Sequence, residues 1–367
     1  MLFGMNLRYL VSLCHESAYD AQRLRRSKHE KVGSRSSPQK ATEAISVLIE
    51  SSGSTRSCPR RKIMQDSDRE AEEPTPDSTA SRPGSPPLQW TKVDRLRVRF
   101  AHAGSGPALV LVHGLLGYSF SWRQVIPTLA NQFEVFAPDL PGSGFSDCDP
   151  ILDCHLASAA KRLLGFLDAV SVTSCDLVGS SYGGATAVML AALAPSRVSS
   201  LVLVSPANAW SRIGRVRLAL LRNPALAAVF PALARRMRPL HDYFFRRMWG
   251  DPSRITPEMY LGYSAVLRRA GVLEHAVKII QTWKPDMQEL QSILPQLSQV
   301  QTLLLWGSKD RTVDPASAKP LSNYFQSPQI AVIEGGGHLP YEECPEEFSR
   351  IVTAFLNSVP PAEPTGK

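Results

Sequence analysis

The sequence predicts an α/β protein built on a doubly wound, mostly parallel sheet, and three observations carry that reading. Runs of strand length such as 107–114, 175–181, 199–207 and 301–307 are almost continuously apolar, as expected of strands covered on both faces. Segments with helical spacing alternate with them through short connectors, the signature of strands joined by crossover helices. And the stretch Cys175–Leu193 passes from a buried strand to an alanine-rich helix through Gly179-Ser180-Ser181-Tyr182-Gly183-Gly184, with no loop between. A sheet of this kind binds its ligand off the carboxyl ends of the strands.

Taken in order, Leu96–Ala103 alternates like a first strand or hairpin, and 107–114 is a fully covered strand. Residues 119–132 have helical spacing, 133–140 form the next strand, and "PGSGFSD" is a tight loop. An amphipathic helix follows over 153–170, then a strand to Ser181, a helix over 182–193 and a strand over 199–207. After a long insertion come a strand at 301–307, a helix from Pro315, a strand over 329–337 and a last helix from Pro345.

One of the two adjacent serines is in a demanding position. A serine forced into a sharp strand-to-helix turn needs very small residues two places before and two after, because the two backbones pass close there. Centred on Ser181 those residues are Gly179 and Gly183; centred on Ser180 they are Val178 and Tyr182, which would clash. Ser181 is therefore the candidate nucleophile and Ser180 fills the turn. Three other strand ends carry polar residues: His113 before Gly114-Leu115, Asp310 just beyond Gly307, and His338 after three glycines. The order Ser–Asp–His, on separate loops, would bring three distant residues to one edge of the sheet.

The motifs "HGLLG", "DLPGSGFS", "GSSYGG", "GSKD" and "GGHLP" occur in this order, and over about Trp90–Val359 the chain resembles the capped branch of the α/β-hydrolase family. The resemblance implies an α/β-hydrolase core at 86–207 and 301–367, with a helical cap inserted at 208–300. Capped dehalogenases and epoxide hydrolases share the layout but carry an aspartate nucleophile; serine at 181 argues against both chemistries.

A serine hydroxyl needs a neighbouring base, and His338 is expected to be that base and later the acid that protonates the leaving group. The other histidines, at 15, 29, 102, 113, 155, 241 and 275, read as structural. Asp310 would orient His338. Its rival Asp314 precedes Pro315, a common helix start in which the carboxylate caps and proline takes the first helical position. By resemblance, the backbone N–H groups of Leu115 and Tyr182 would receive the oxyanion. Asp139 reads as a loop brace. No metal or nucleotide signature is present, so no cofactor is expected, and no nucleic-acid partner.

The chain has 367 residues, 43% of them hydrophobic, and six cysteines without metal-ligand spacing, which read as free thiols of a reducing, cytoplasmic setting. Residues 1–85 differ in composition. They are rich in Ser, Arg and Pro, with 11 Lys/Arg against 3 Asp/Glu over 21–63 and then 6 acids against one Arg over 64–77. Such a segment lacks the apolar surface to offset ordering and is expected to be disordered. An organelle transit peptide is an alternative that Glu16, Asp20 and Glu30 weaken, and a true start at Met64 is another.

The insertion is apolar, punctuated by aromatics such as Phe245 and Trp249, and holds 14 Lys/Arg against 6 Asp/Glu. Its aromatics are expected to set chain-length preference. Its arginines read first as a solvated face and second as a means of peripheral contact with anionic lipid. The expected function is a serine hydrolase cleaving carboxylic esters, or a related carbonyl bond, of a small, largely apolar substrate through an acyl-enzyme. The alternatives are a carbon–carbon bond hydrolase of ring-cleavage dienones, using the same three residues, and a small-molecule receptor that retains them.

Overall fold

The computed structural model describes residues 86–211 and 221–359; the N-terminal extension expected at 1–85 lies outside the described residues. All described residues fall in one compact unit, Ala71–Lys367. Eight strands form a single sheet: β1 (Leu88–Val93), β2 (Leu96–Ala103), β3 (Ala108–Val112), β4 (Glu134–Pro138), β5 (Cys175–Ser180), β6 (Val198–Val204), β7 (Gln301–Gly307) and β8 (Gln329–Ile333). Their spatial order is β1-β2-β4-β3-β5-β6-β7-β8. The first two strands form an antiparallel hairpin, β2 runs antiparallel to β4, and every later pairing is parallel. The chain places β4 on one side of β3 and β5 on the other, so the order reverses between the carboxyl ends of β3 and β5, where open α/β sheets bind ligands.

Side-chain alternation explains the continuous apolar runs. Val110 and Val112 of β3 and Leu304 and Trp306 of β7 enter one buried cluster, while Leu109, Leu111, Leu303 and Leu305 enter the other. Inner strands such as β3 and β7 thus face apolar layers on both sides and need no polar alternation, whereas the edge strands β1 and β8 are largely exposed.

The helices are α1 (Ile126–Leu129), α2 (Leu156–Ala169), α3 (Tyr182–Leu193), α4 (Pro224–Arg236), α5 (Arg238–Arg247), α6 (Pro257–Leu267), α7 (Val272–Ile293), α8 (Ala318–Ser322), α9 (Pro340–Glu343) and α10 (Pro345–Ser358). Among the described residues, no helix is long and apolar enough to cross a membrane. Among the described residues, α4 to α7 lie between β6 and β7. Phe245, Trp249 and Tyr263 from this insertion join one core cluster, and Ile279, Met287 and Leu290 join the other.

The structure corrects three details of the expected elements. The segment 119–132 is a 3-10 turn, Ser119–Trp122, followed by the single turn of α1. Pro127 cannot donate the N–H that a continuous helix would use, and Trp122, Val125, Ile126 and Leu129 are all fully buried, so packing rather than helix propensity sets this path. The helix expected from Pro315 begins as a 3-10 turn, Pro315–Ser317, before α8. The strand expected over 329–337 stops at Ile333, because the chain turns at Gly335, with φ +74°.

Candidate active site

Ser181 stands between β5 and α3 with φ 54° and ψ −118°, a strained conformation for a residue with a side chain. Its surroundings hold it there. Its N–H donates to Val204 O at 2.9 Å, and its carbonyl accepts the N–H groups of Ala207 at 2.9 Å and Gly184 at 3.0 Å. A Cβ on Gly179 would meet Gly184 Cα at 2.7 Å, and one on Gly183 would meet Val112 C at 2.7 Å, so both glycines are demanded by close backbone approach. Ser180 faces away: it is fully buried, and its Oγ hydrogen-bonds the Tyr341 hydroxyl at 3.2 Å.

Asp310 follows β7 and His338 follows β8, and the structure brings these two together. Asp310 Oδ2 lies 2.8 Å from His338 Nδ1, with both side chains buried. Asp310 Oδ1 accepts the N–H groups of Thr312 at 2.7 Å and Val313 at 3.0 Å. Burial pushes the Asp310 carboxyl up, but the adjacent imidazole and the bonds from His338, Thr312 and Val313 outweigh it, and the group stays below the usual carboxylate range. An ionised carboxylate only accepts, so His338 Nδ1 carries a hydrogen, and Nε2 is the ring nitrogen left to exchange a proton with another group. The His338 N–H donates to Met248 O at 2.7 Å, anchoring this loop to the end of α5. Among the described residues, no hydrogen bond joins Ser181 Oγ to His338; such bonds are often long before substrate arrives.

Asp314 is not part of this pair. Its Oδ1 accepts the Ala316 N–H at 3.0 Å and caps the turn that Pro315 begins.

The loop after β3 presses on the Ser181 turn: a Cβ on Gly114 would lie 3.1 Å from Ser181 Cβ. His113 fixes that loop. The Leu140 N–H donates to His113 Nε2 at 2.9 Å, so Nδ1 carries the ring hydrogen and donates to Gly114 O at 2.8 Å. Burial lowers the His113 pKa, in keeping with a neutral brace. Leu115 N–H has no acceptor among the described residues, and Tyr182 N–H is one of the first amides of α3, which no turn of the helix can satisfy. Two unspent donors therefore flank Ser181, one of them at the positive end of a helix.

Asp139 does brace a loop. Fully buried, it accepts the N–H groups of Ser119 at 2.7 Å and Phe145 at 2.8 Å and pairs with Arg99 at 2.8 Å. Arg99 was not legible as its partner, because 40 residues separate the two. Glu343 was missed altogether. Its buried carboxylate accepts the N–H groups of Gly337 at 2.6 Å, Gly250 at 2.9 Å and Asp251 at 3.1 Å. All three partners are backbone atoms, which leave no trace in residue type.

The model of the alpha/beta hydrolase fold matches residues 107–345. The chain belongs to the α/β-hydrolase family. The chemistry of this α/β-hydrolase is hydrolysis. It is 30% identical over 265 residues to a 2-hydroxy-6-oxo-2,4-heptadienoate hydrolase of Pseudomonas putida, covering 69% of this chain and 90% of that one. It is 29% identical over 300 residues to an uncharacterized protein of Mycobacterium tuberculosis, covering 76% and 83%. Among solved structures, a membrane phospholipase A described as a bacterial virulence factor superposes with a TM-score of 0.63 at 27% identity, covering 75% of this chain and 87% of that one.

The insertion of this hydrolase corrects one expectation. Phe245 and Trp249 are 2% and 0% exposed and pack in the core, so they are poor candidates for side chains that read chain length. Its arginines are not all a solvated face either: Arg269 donates to Gly144 O at 2.6 Å in a part-buried contact, whereas Arg235 pairs with Glu274 at 2.6 Å on the exposed side.

Proposed function

We propose that the protein is a serine hydrolase that cleaves carboxylic esters of small, largely apolar substrates through an acyl-enzyme. The observation that carries this reading is the buried Asp310–His338 pair, whose ionised carboxylate leaves His338 Nε2 as a base on the edge of the sheet that presents Ser181. In the proposed reaction Nε2 takes the Ser181 proton as Oγ attacks the carbonyl carbon. The oxyanion is received by the N–H groups of Leu115 and Tyr182, already oriented by the His113 brace and the helix end. His338 then protonates the leaving alkoxide, and water attacks the acyl-enzyme by the reverse route. Helices α4 to α7 act as the cap over this edge.

Carbon–carbon bond cleavage of a ring-cleavage dienone is the second reading, favoured by the likeness to the heptadienoate hydrolase. Labelling with a fluorophosphonate, followed by turnover of p-nitrophenyl esters and of a dienone substrate, separates the readings. Ser181-dependent labelling with ester turnover is expected. Dienone turnover alone moves the assignment to carbon–carbon chemistry, and ligand-induced stabilisation with no turnover moves it to a receptor. Peripheral contact of the cap with anionic lipid is part of the proposal, supported by exposed Leu226, Val229 and Leu233 along α4, with Arg236 in its last turn. Salt-sensitive binding to anionic liposomes tests it.

A further inference from the structure

A narrow cavity lies against the nucleophile turn, and four polar side chains from four segments line it: Ser143 from the loop after β4, Arg162 on α2, Tyr182 at the start of α3 and His275 on α7. The rest of the lining is apolar, from residues such as Leu140 and Ile279, and no carboxylate contributes to it.

Two of the four groups, both large and mostly buried, lack a partner; the small Ser143 hydroxyl can both donate and accept. The Tyr182 hydroxyl is buried without a hydrogen bond, in a residue only 5% exposed. Arg162 is largely buried, enough for desolvation to lower its pKa, and among the described residues it makes no hydrogen bond or ion pair. A guanidinium can only donate, and an unpaired phenol hydroxyl loses most by failing to donate. Both groups lack the same thing, an acceptor.

The charge balance says what kind. Burial, with Arg162 and Lys278 nearby, pushes the His275 pKa down to about 4, so this imidazole is neutral near pH 7. Its Nδ1 lies 3.4 Å from Cys154 Sγ. Of the lining groups only Arg162 is charged; Asp153, Asp286 and Lys278 act on the site from outside the lining, and none of them hydrogen-bonds Arg162 or Tyr182. A water would satisfy the hydroxyl and leave the guanidinium without a charged acceptor, whereas an anion satisfies both.

We propose that this cavity binds a monovalent anion, a carboxylate oxygen or a halide held between the Arg162 guanidinium and the Tyr182 hydroxyl. The narrowness of the site excludes sulfate and phosphate. Because Tyr182 also follows the nucleophile directly, occupancy fixes the residue whose N–H flanks Ser181 Oγ. The anion has two sources in principle: a free ion, or the acid group of a bound organic molecule.

Equilibrium binding to full-length Ser181→Ala protein tests this without any turnover, so its outcome is independent of which bond the enzyme cleaves. Thermal unfolding is followed against sodium chloride, sodium formate and monomethyl succinate, with sodium sulfate, whose ion is too large for the site, holding the ionic strength constant. Saturable stabilisation by chloride and formate is expected, weakened at least tenfold in apparent affinity by Arg162→Met and by Tyr182→Phe, which removes only the hydroxyl. Stabilisation by monomethyl succinate alone, with the same losses, identifies an acid group of an organic ligand as the occupant. No saturable shift with any of the three, or shifts that survive both substitutions, overturns the proposal and leaves a cavity that holds water only.

Discussion

The carboxylate of Glu343 accepts the N–H of Gly337, the residue before His338, at 2.6 Å, and the same carboxylate takes the N–H groups of Gly250 and Asp251 from the insertion. The histidine loop and the end of α5 are therefore held together by one buried side chain. The fit is tight enough that a Cβ on Gly337 would meet Trp249 C at 2.6 Å. Removing the carboxylate strands three donors, two of them buried, so Glu343→Ala should cost about 3 kcal/mol of stability. It should also lower kcat at least tenfold while changing KM less, because His338 loses its support. Glu343→Gln retains an acceptor toward Gly337 and Gly250 and should recover most of kcat. Equal losses in kcat for Ala and Gln, measured on folded protein, would show that Glu343 does not position His338.

Ser181→Ala should abolish fluorophosphonate labelling and essentially all turnover while leaving the unfolding midpoint unchanged or raised, since the strained backbone at φ 54° is held by its neighbours and not by the hydroxyl. Ser180→Ala removes only the bond to the Tyr341 hydroxyl and should leave labelling intact, at a stability cost of about 1 kcal/mol. A Ser180→Ala protein that no longer labels would reverse the assignment.

Asp310→Asn should lower the acylation rate by about 10⁴-fold, because an amide favours the wrong imidazole tautomer. The pH dependence has a definite sign. The Asp310 pKa is lowered on folding, so the stability it contributes is present above the usual carboxylate range and is lost as pH falls through the lowered value. Acid unfolding of Asp310→Asn should therefore lack that component. Asp314→Ala should cost about 1 kcal/mol as a lost cap, with acylation nearly unchanged. A large loss of rate at Asp314 would make it the orienting acid.

His155, just before α2, meets Asp286 of α7 at 2.8 Å. The bond to Asp286 raises the His155 pKa, so its contribution is full at acidic pH and fades as pH rises through the raised value. The imidazole is half exposed, and solvent screening keeps the effect small. The stability difference between the parent and His155→Ala should narrow from pH 5 to pH 9; a difference that grows with pH would reverse the sign argued here.

Phe245→Ala or Trp249→Ala should cost about 3–5 kcal/mol, as truncations of fully buried rings do. Chain-length preference per folded molecule should change little. Retained stability with a shifted preference would return these rings to the substrate pocket.

The sequence by itself determined the sheet, the tight turn that carries Ser181 and the capping place of Asp314. Those features rest on short-range constraints: two-sided burial writes continuous apolar runs, a tight turn writes glycine at Gly179 and Gly183, and a capping aspartate writes the proline that follows it. Only the tertiary structure decided the break in the segment 119–132, the burial of Phe245 and Trp249, the Arg99–Asp139 pair, and the Glu343 lock. Their causes are long-range. A buried carboxylate that reaches the backbone amides of Gly250, 93 residues away, depends on where two chain segments meet, and backbone amides are the same in every residue but proline.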